Sequence, residues 1–193
     1  MNRNKILYIG GFELPDKNAA AQRVVSNAKL CRDLGYEVTL IGTDKSIQFN
    51  GLSGKFKFEG FDCYSLKYPQ GNADWFHYLT NVNFIFPFTK TGAVSHIIAY
   101  DYPAIALHIL RKFCKHKKIK LIGDCTEWYD VKGGILYRII KGLDVSFRMR
   151  RVQPELDGLI VISDYLYEYY RVAVRNLINL PPLVDLSMGK WKV

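Results

Sequence analysis

Short apolar runs alternate with stretches of helical periodicity along most of the chain. The run at residues 5–10 predicts a buried strand, which the following glycines end. From residue 19 the apolar positions recur at helical spacing, with Asn18 placed to cap the helix and Gly35 to follow its last turn. Residues 38–41 predict a second strand, so the chain begins with a strand–helix–strand unit of the kind that builds parallel sheets.

The same alternation continues to the end of the chain. Further strands are predicted at residues 62–67, 96–100, 120–124, 158–162 and 176–180. Helices are predicted at residues 104–117, at about 134–152 and from Ser163 to Tyr170, whereas the aromatic segment 74–86 leaves helix and irregular structure both open. Strands and helices at this spacing predict an α/β domain with a doubly wound, mostly parallel, Rossmann-like sheet.

The composition agrees with one well-packed domain. The 193 residues are 49% hydrophobic and 14% aromatic, which is enough for a full core. The apolar runs are all far shorter than the roughly 18 residues of a membrane span, and the N-terminus does not resemble a signal peptide. We therefore expect a cytoplasmic protein. Its four cysteines and four histidines have no metal-ligand spacing, so we expect free thiols and no metal or cofactor.

The positive charge is concentrated in the middle of the chain. The net charge is +9, and residues 111–151 hold 12 basic and 4 acidic side chains. Such a segment attracts phosphorylated ligands, acidic lipid surfaces or nucleic acid, but no nucleic-acid-binding motif is present, so nucleic acid is not an expected partner. In the helix at 134–152, Arg138, Lys141, Arg148 and Arg151 lie off the apolar stripe. Packing of that stripe into the core is favoured, and contact with an anionic membrane stays open.

Ligands of open parallel sheets bind beyond the carboxyl ends of the strands. This rule selects candidate residues in four loops: Gly10, Gly11, Asp101, Asp124, Thr126, Glu127 and Ser163. The two glycines allow a phosphate to approach the backbone, although they form neither a GxGxxG nor a P-loop motif and also fit a simple turn.

The carboxylates after the fifth strand are the candidates for catalysis. Asp124 and Glu127 could orient hydroxyls or act as a base. The alternative, that Asp124 or Thr126 caps the next element and Glu127 is solvated, stays equally open. Ser163 does not lie in a GxSxG motif and is better explained as an N-cap than as a nucleophile.

Six segments in order carry a resemblance to a known family: residues 6–11, 19–23, 34–38, 124–129, 159–163 and 181–185. Together they resemble the N-terminal half of a glycosyltransferase of the two-domain GT-B fold, family 4 in particular. The resemblance implies that residues 1–180 form an acceptor-binding domain and that residues 181–193 begin the linker to a donor-binding domain. That second domain has no counterpart in this sequence.

The resemblance also implies roles for the candidate residues. Gly10 and Gly11 would lie under the donor phosphates, and Arg23 would meet an anionic group. Asp124, Thr126 and Glu127 would face the reacting sugar, with Asp101 and Ser163 as further substrate contacts; Asp185 would lie at the crossing into the second domain.

The function implied is the acceptor-binding half of a retaining, nucleotide-sugar-dependent glycosyltransferase in capsular or cell-surface polysaccharide synthesis. We expect it to be inactive without a donor-binding domain, which a separate chain could supply. Expected partners are a nucleotide sugar, a glycan or lipid-linked acceptor, and an anionic surface at the inner face of the cell membrane. Two other functions stay open: a non-enzymatic membrane- or partner-binding module of the same fold, and an unrelated nucleotide-binding α/β protein.

Overall fold

The computed structural model describes residues 4–127 and 135–183. The described residues form one eight-stranded sheet in the order β3-β4-β2-β1-β5-β6-β7-β8, in which only β3 pairs antiparallel to its neighbour. The strands are β1 Lys5–Gly10, β2 Glu37–Asp44, β3 Phe56–Phe58, β4 Phe61–Lys67, β5 Val94–Tyr100, β6 Lys120–Cys125, β7 Gly158–Val161 and β8 Leu177–Asn179. The helices are α1 Ala19–Asp33, α2 Asn72–Thr80, α3 Phe86–Thr89, α4 Ala104–Lys117, α5 Ile135–Phe147 and α6 Asp164–Tyr170.

The predicted α/β fold with a mostly parallel sheet is confirmed. The short strand β3 was not predicted, and it adds an antiparallel edge beside β4. The chain proceeds outward from β1 through β2 to β4, then returns to the other side of β1 to form β5. The loops after β1 and β5 therefore flank the point where the strand order reverses, which is where open α/β sheets bind their ligands.

The side chains of β1 show how the sheet separates two cores. Leu7 and Ile9 point into a core that also contains residues of α4 and α6. Ile6 and Tyr8 point to the opposite face, where they pack with the buried residues of α1. Because successive side chains of a strand alternate between faces, one apolar strand supplies both layers.

Local signals correctly located the ends of several helices. Asn18 caps α1, since its side chain accepts a hydrogen bond from the Ala21 N–H, and Gly35 follows α1 with a φ of +89°. The aromatic segment that the sequence left open forms α2, a short 3₁₀ turn at Asn83–Ile85 and α3. No helix of the described residues is long and apolar enough to cross a membrane.

The helix predicted up to residue 152 changes form before its end. α5 passes into a π-helix at Arg148–Val152, and a 3₁₀ turn at Gln153–Glu155 follows. The expectation that Arg148 faces away from the core is wrong, because its side chain is only 2% exposed. The wider π turn changes the angular spacing of the residues, so helical periodicity could not place this arginine.

Candidate functional site

The two glycines after β1 have different surroundings. A Cβ atom at Gly10 would lie 2.7 Å from the Tyr100 carbonyl oxygen, so Gly10 is needed for β1 to pack beside β5. Gly11 is exposed, and a Cβ there would lie 3.1 Å from the Tyr78 hydroxyl. Of the pair, Gly11 is the one whose backbone is open to a ligand at the reversal of strand order.

Asp124 and Arg23 form a buried ion pair below this edge of the sheet. Asp124 is fully buried, and Arg23 donates to its Oδ1 from Nη2 at 2.8 Å and from Nε at 3.1 Å. The Tyr8 hydroxyl and the Asn27 amide donate to Oδ2. Burial and the Asp124 charge raise the pKa of Tyr8 well above its ordinary value, so Tyr8 remains a protonated donor. Both oxygens of Asp124 are therefore occupied by protein groups.

The same arginine also holds the segment that follows β8. Arg23 Nη1 donates to the Leu180 carbonyl oxygen at 2.9 Å, while its other nitrogens bind Asp124. Arg23 thus connects α1, the end of β6 and the chain after β8. The structure brings together two predicted candidates, Arg23 and Asp124, as partners of each other.

A second buried carboxylate, Asp101, holds the residue before Glu127. Asp101 Oδ1 accepts from the Thr126 backbone N–H at 3.2 Å, and Oδ2 accepts from the Thr126 hydroxyl. The Arg148 guanidinium lies 3.7 Å from Oδ1. Burial raises the pKa of Asp101 to about 6, although Arg148 opposes this shift. Asp101 adopts a φ of +39°, a strained value for a residue other than glycine.

Glu127 and Ser163 occupy the edge itself. Glu127 is exposed and directly follows Thr126, whose hydroxyl also lies 3.3 Å from the Tyr100 hydroxyl. Ser163 caps α6, since its Oγ accepts from the Leu166 N–H at 3.4 Å. Asp185 lies outside the described residues. Of the two predicted catalytic carboxylates, Glu127 is therefore open to solvent and Asp124 is enclosed.

A cavity that sequence reasoning missed lies beside this edge. Its volume is about 370 Å³, and its walls come from the end of β4, from α2 and from the turn after α2. The concentration of aromatic residues in segment 74–86 was the signal that could have indicated it. Within residues 4–127 and 135–183, no cluster of three or more His, Cys, Asp or Glu side chains could hold a metal ion.

Comparison with known proteins shows a similarity of fold. No family model matches the chain. No curated protein matches it either. Among solved structures, the chain is similar to the catalytic domain of starch synthase IV from Arabidopsis thaliana bound to ADP and acarbose, with a TM-score of 0.55 and 12% sequence identity.

That similarity covers 94% of this chain and 52% of the starch synthase chain, so the present chain spans about half the length of the structure it matches. The starch synthase domain is a GT-B glycosyltransferase. The chain therefore has a glycosyltransferase-like, Rossmann-like fold of the kind that builds a GT-B enzyme.

Proposed function

We propose that this chain is the acceptor-binding half of a nucleotide-sugar-dependent glycosyltransferase. The observation that carries the proposal is the match of nearly the whole chain to about half of a glycosyltransferase catalytic domain that is bound to ADP and acarbose. The donor-binding half would then come from a second domain. The finer expectations, a retaining reaction in capsular or cell-surface polysaccharide synthesis with a family 4-like enzyme, belong to the same proposal.

The open edge of the sheet supports specific roles. Gly11 leaves the backbone accessible at the reversal of strand order, where a donor phosphate could approach without a side chain in the way. Glu127 is the exposed carboxylate of this edge and is our candidate for contact with the reacting sugar. Thr126 and Ser163 are candidates for further substrate contacts, although each also has a partner within the protein.

Asp124 has a different role in this proposal. Its two oxygens already accept hydrogen bonds from Arg23, Tyr8 and Asn27, so it cannot take up a substrate proton without breaking the buried ion pair. We assign it to positioning: it holds the carboxyl end of β6, from which Thr126 and Glu127 follow. The same contacts assign Arg23 to the protein interior, and not to an anionic ligand.

The experiment is a transfer assay with a panel of nucleotide sugars and lipid-linked or oligosaccharide acceptors. The chain is assayed alone and together with a donor-binding domain encoded beside it. We expect transfer only in the mixture, and a loss of about a hundredfold or more with Glu127→Gln. Glu168→Gln is the matched control, because Glu168 is an exposed residue of α6 that pairs with Arg171 just after the helix. Transfer by the chain alone would contradict the division into two halves.

A second candidate function, a membrane-binding module, is favoured by one surface. Ile105 and Ile109 of α4 are 50% and 37% exposed, and Leu143 and Phe147 of α5 are 67% and 41% exposed. The Phe147 ring lies 6.1 Å from the His108 ring, so these apolar residues belong to adjacent helical faces. An exposed apolar patch of this kind is typical of a surface that contacts a partner or a membrane.

The most basic turn of α4 does not belong to this apolar patch. α4 begins at the carboxyl end of β5 and ends before β6, so its last residues, Lys115, His116 and Lys117, lie at the edge of the sheet opposite Gly11. Vesicle sedimentation tests the membrane function. Binding to anionic vesicles but not to neutral ones, lost in the double variant Leu143→Glu and Phe147→Glu, together with no transfer in any mixture, would favour this function over the enzyme.

A further inference from the structure

The cavity beside β4 has the size of a small-molecule site. Its volume of about 370 Å³ falls within the range of about 300–1,000 Å³ that ligand pockets occupy. The loop at residues 50–52 forms one wall, and a bridge between Leu52 and Leu66 attaches that loop to β4. Residues of α2 and of the turn after it complete the described lining.

The described lining of the cavity carries no net charge. Its only ionised groups, apart from the titratable His77, are Lys67 and Asp74, whose Nζ and Oδ2 lie 2.7 Å apart. Each of these side chains is 19% exposed, and the Lys67 ammonium lowers the pKa of Asp74, so the pair stays ionised and internally neutralised. A phosphate or carboxylate ligand would find no unpaired cation among these two groups.

Hydrogen bonds orient the Asn81 side chain beside His77 in the cavity wall. The Asn83 backbone N–H can only donate, and it lies 2.8 Å from Asn81 Oδ1, which fixes the orientation of the Asn81 amide. The amide nitrogen then lies 2.7 Å from His77 Nε2, which must accept. The Asn81 amide and the His77 imidazole thus lie together in the cavity wall as polar groups of the kind that hydrogen-bond hydroxyls.

Aromatic rings provide the apolar part of the same lining. The Tyr78 and Tyr102 rings are 6.2 Å apart, and Phe84 contributes a further ring. Tyr78 also connects the cavity to the open edge of the sheet, because its hydroxyl is the atom nearest to the side-chain direction of Gly11. A ligand in the cavity would thus lie next to the loop where we place the donor phosphates.

We propose that this cavity binds a neutral saccharide unit of the acceptor. The proposal rests on the proposed function and deepens it by naming the class of acceptor. A sugar ring presents C–H faces that suit aromatic rings and hydroxyls that suit amide and imidazole groups, and the self-neutralised pair Lys67–Asp74 matches an uncharged ligand.

Binding to the 193-residue chain tests the proposal without any transfer reaction. Calorimetry and saturation-transfer NMR would compare neutral oligosaccharides with uronic-acid oligosaccharides of equal length and with inorganic phosphate. We expect the neutral ligands to bind best, and His77→Ala to weaken them by up to about tenfold through loss of one hydrogen bond. His116→Ala is the matched control on the opposite edge. Both histidines are exposed, so neither change threatens folding.

A second part of the test changes the charge of the cavity and measures whether its preference between neutral and acidic saccharides changes. Asp74→Asn leaves Lys67 without its carboxylate, and we expect the preference to shift toward the uronic-acid ligands. Combining it with Lys67→Gln should restore the preference for neutral ligands. A wild-type preference for acidic saccharide or phosphate, or neutral binding unchanged by His77→Ala, would overturn the proposal.

The outcomes separate this proposal from the function on which it rests. Transfer activity in the two-domain mixture without saccharide binding at this cavity would overturn the site and leave the enzyme function intact. Saccharide binding lost in His77→Ala, with no transfer in any mixture, would support the site and refute the transferase function.

Discussion

Replacing Asp101 by asparagine tests whether burial or ion pairing dominates at the carboxylate that holds Thr126. The Asp101 side chain is 5% exposed and lies 3.7 Å from the Arg148 guanidinium. Asparagine keeps its size, and its carbonyl oxygen can still accept from the Thr126 backbone N–H. The change therefore removes the ionisable proton and the negative charge with little effect on packing.

The expected magnitude follows from the pKa of Asp101, which burial raises from 3.8 to about 6. Between about pH 4 and pH 6 the folded protein retains this proton while the unfolded chain has released it. Stability therefore falls as pH rises through this window, because the unfolded state binds fewer protons. The difference of about two pKa units corresponds to about 3 kcal/mol. At pH 4 the carboxyl is protonated in the folded state and only partly ionised in the unfolded chain, so Asp101→Asn and wild type should differ by less than about 1 kcal/mol.

Urea unfolding from pH 4 to pH 8 measures this contribution. The free energy of unfolding of Asp101→Asn, relative to wild type, should rise by about 2–3 kcal/mol between pH 4 and pH 7.5. Other carboxyl groups contribute equally to both proteins and cancel. If instead the wild type gains stability relative to the variant over this range, the pairing with Arg148 outweighs burial and the reasoning is refuted.

Three further predictions concern stability. Arg23→Met should lower the free energy of unfolding by about 3–5 kcal/mol, because it leaves the buried Asp124 carboxylate without its cation. The control Arg171→Met, at an exposed ion pair, should change the free energy of unfolding by less than about 1 kcal/mol. Equal effects of the two changes in urea unfolding would contradict the buried pair. Gly42→Ala should cost about 1–3 kcal/mol, since its Cβ would lie 2.4 Å from the Phe12 carbonyl oxygen, and an unchanged melting temperature would show that this contact is absent. Lys118→Gly should raise the free energy of unfolding by up to about 1 kcal/mol, because Lys118 ends α4 with a φ of +56°, and a loss of stability would count against that backbone conformation.

Features that depend on neighbouring residues could be predicted from the sequence alone. The apolar runs located the buried strands, because a strand that is covered on both faces has apolar residues at nearly every position. The N-caps Asn18 and Ser163 were predicted because a capping side chain binds a backbone N–H only a few residues away. The rule for parallel sheets likewise brought Asp101 and Thr126 to one edge, where the structure joins them.

Only the tertiary structure determined how deeply each candidate residue is buried and which group it contacts. Arg23 and Asp124 are 101 positions apart, and their pairing below the edge leaves Glu127 as the exposed carboxylate. Arg148 entered the core through a π-helix, which has no periodic signature in the sequence. The cavity beside β4 likewise arises between segments distant in sequence. Burial, charge pairing and enclosed volume are properties of surfaces brought together by folding, so no local pattern of residues specifies them.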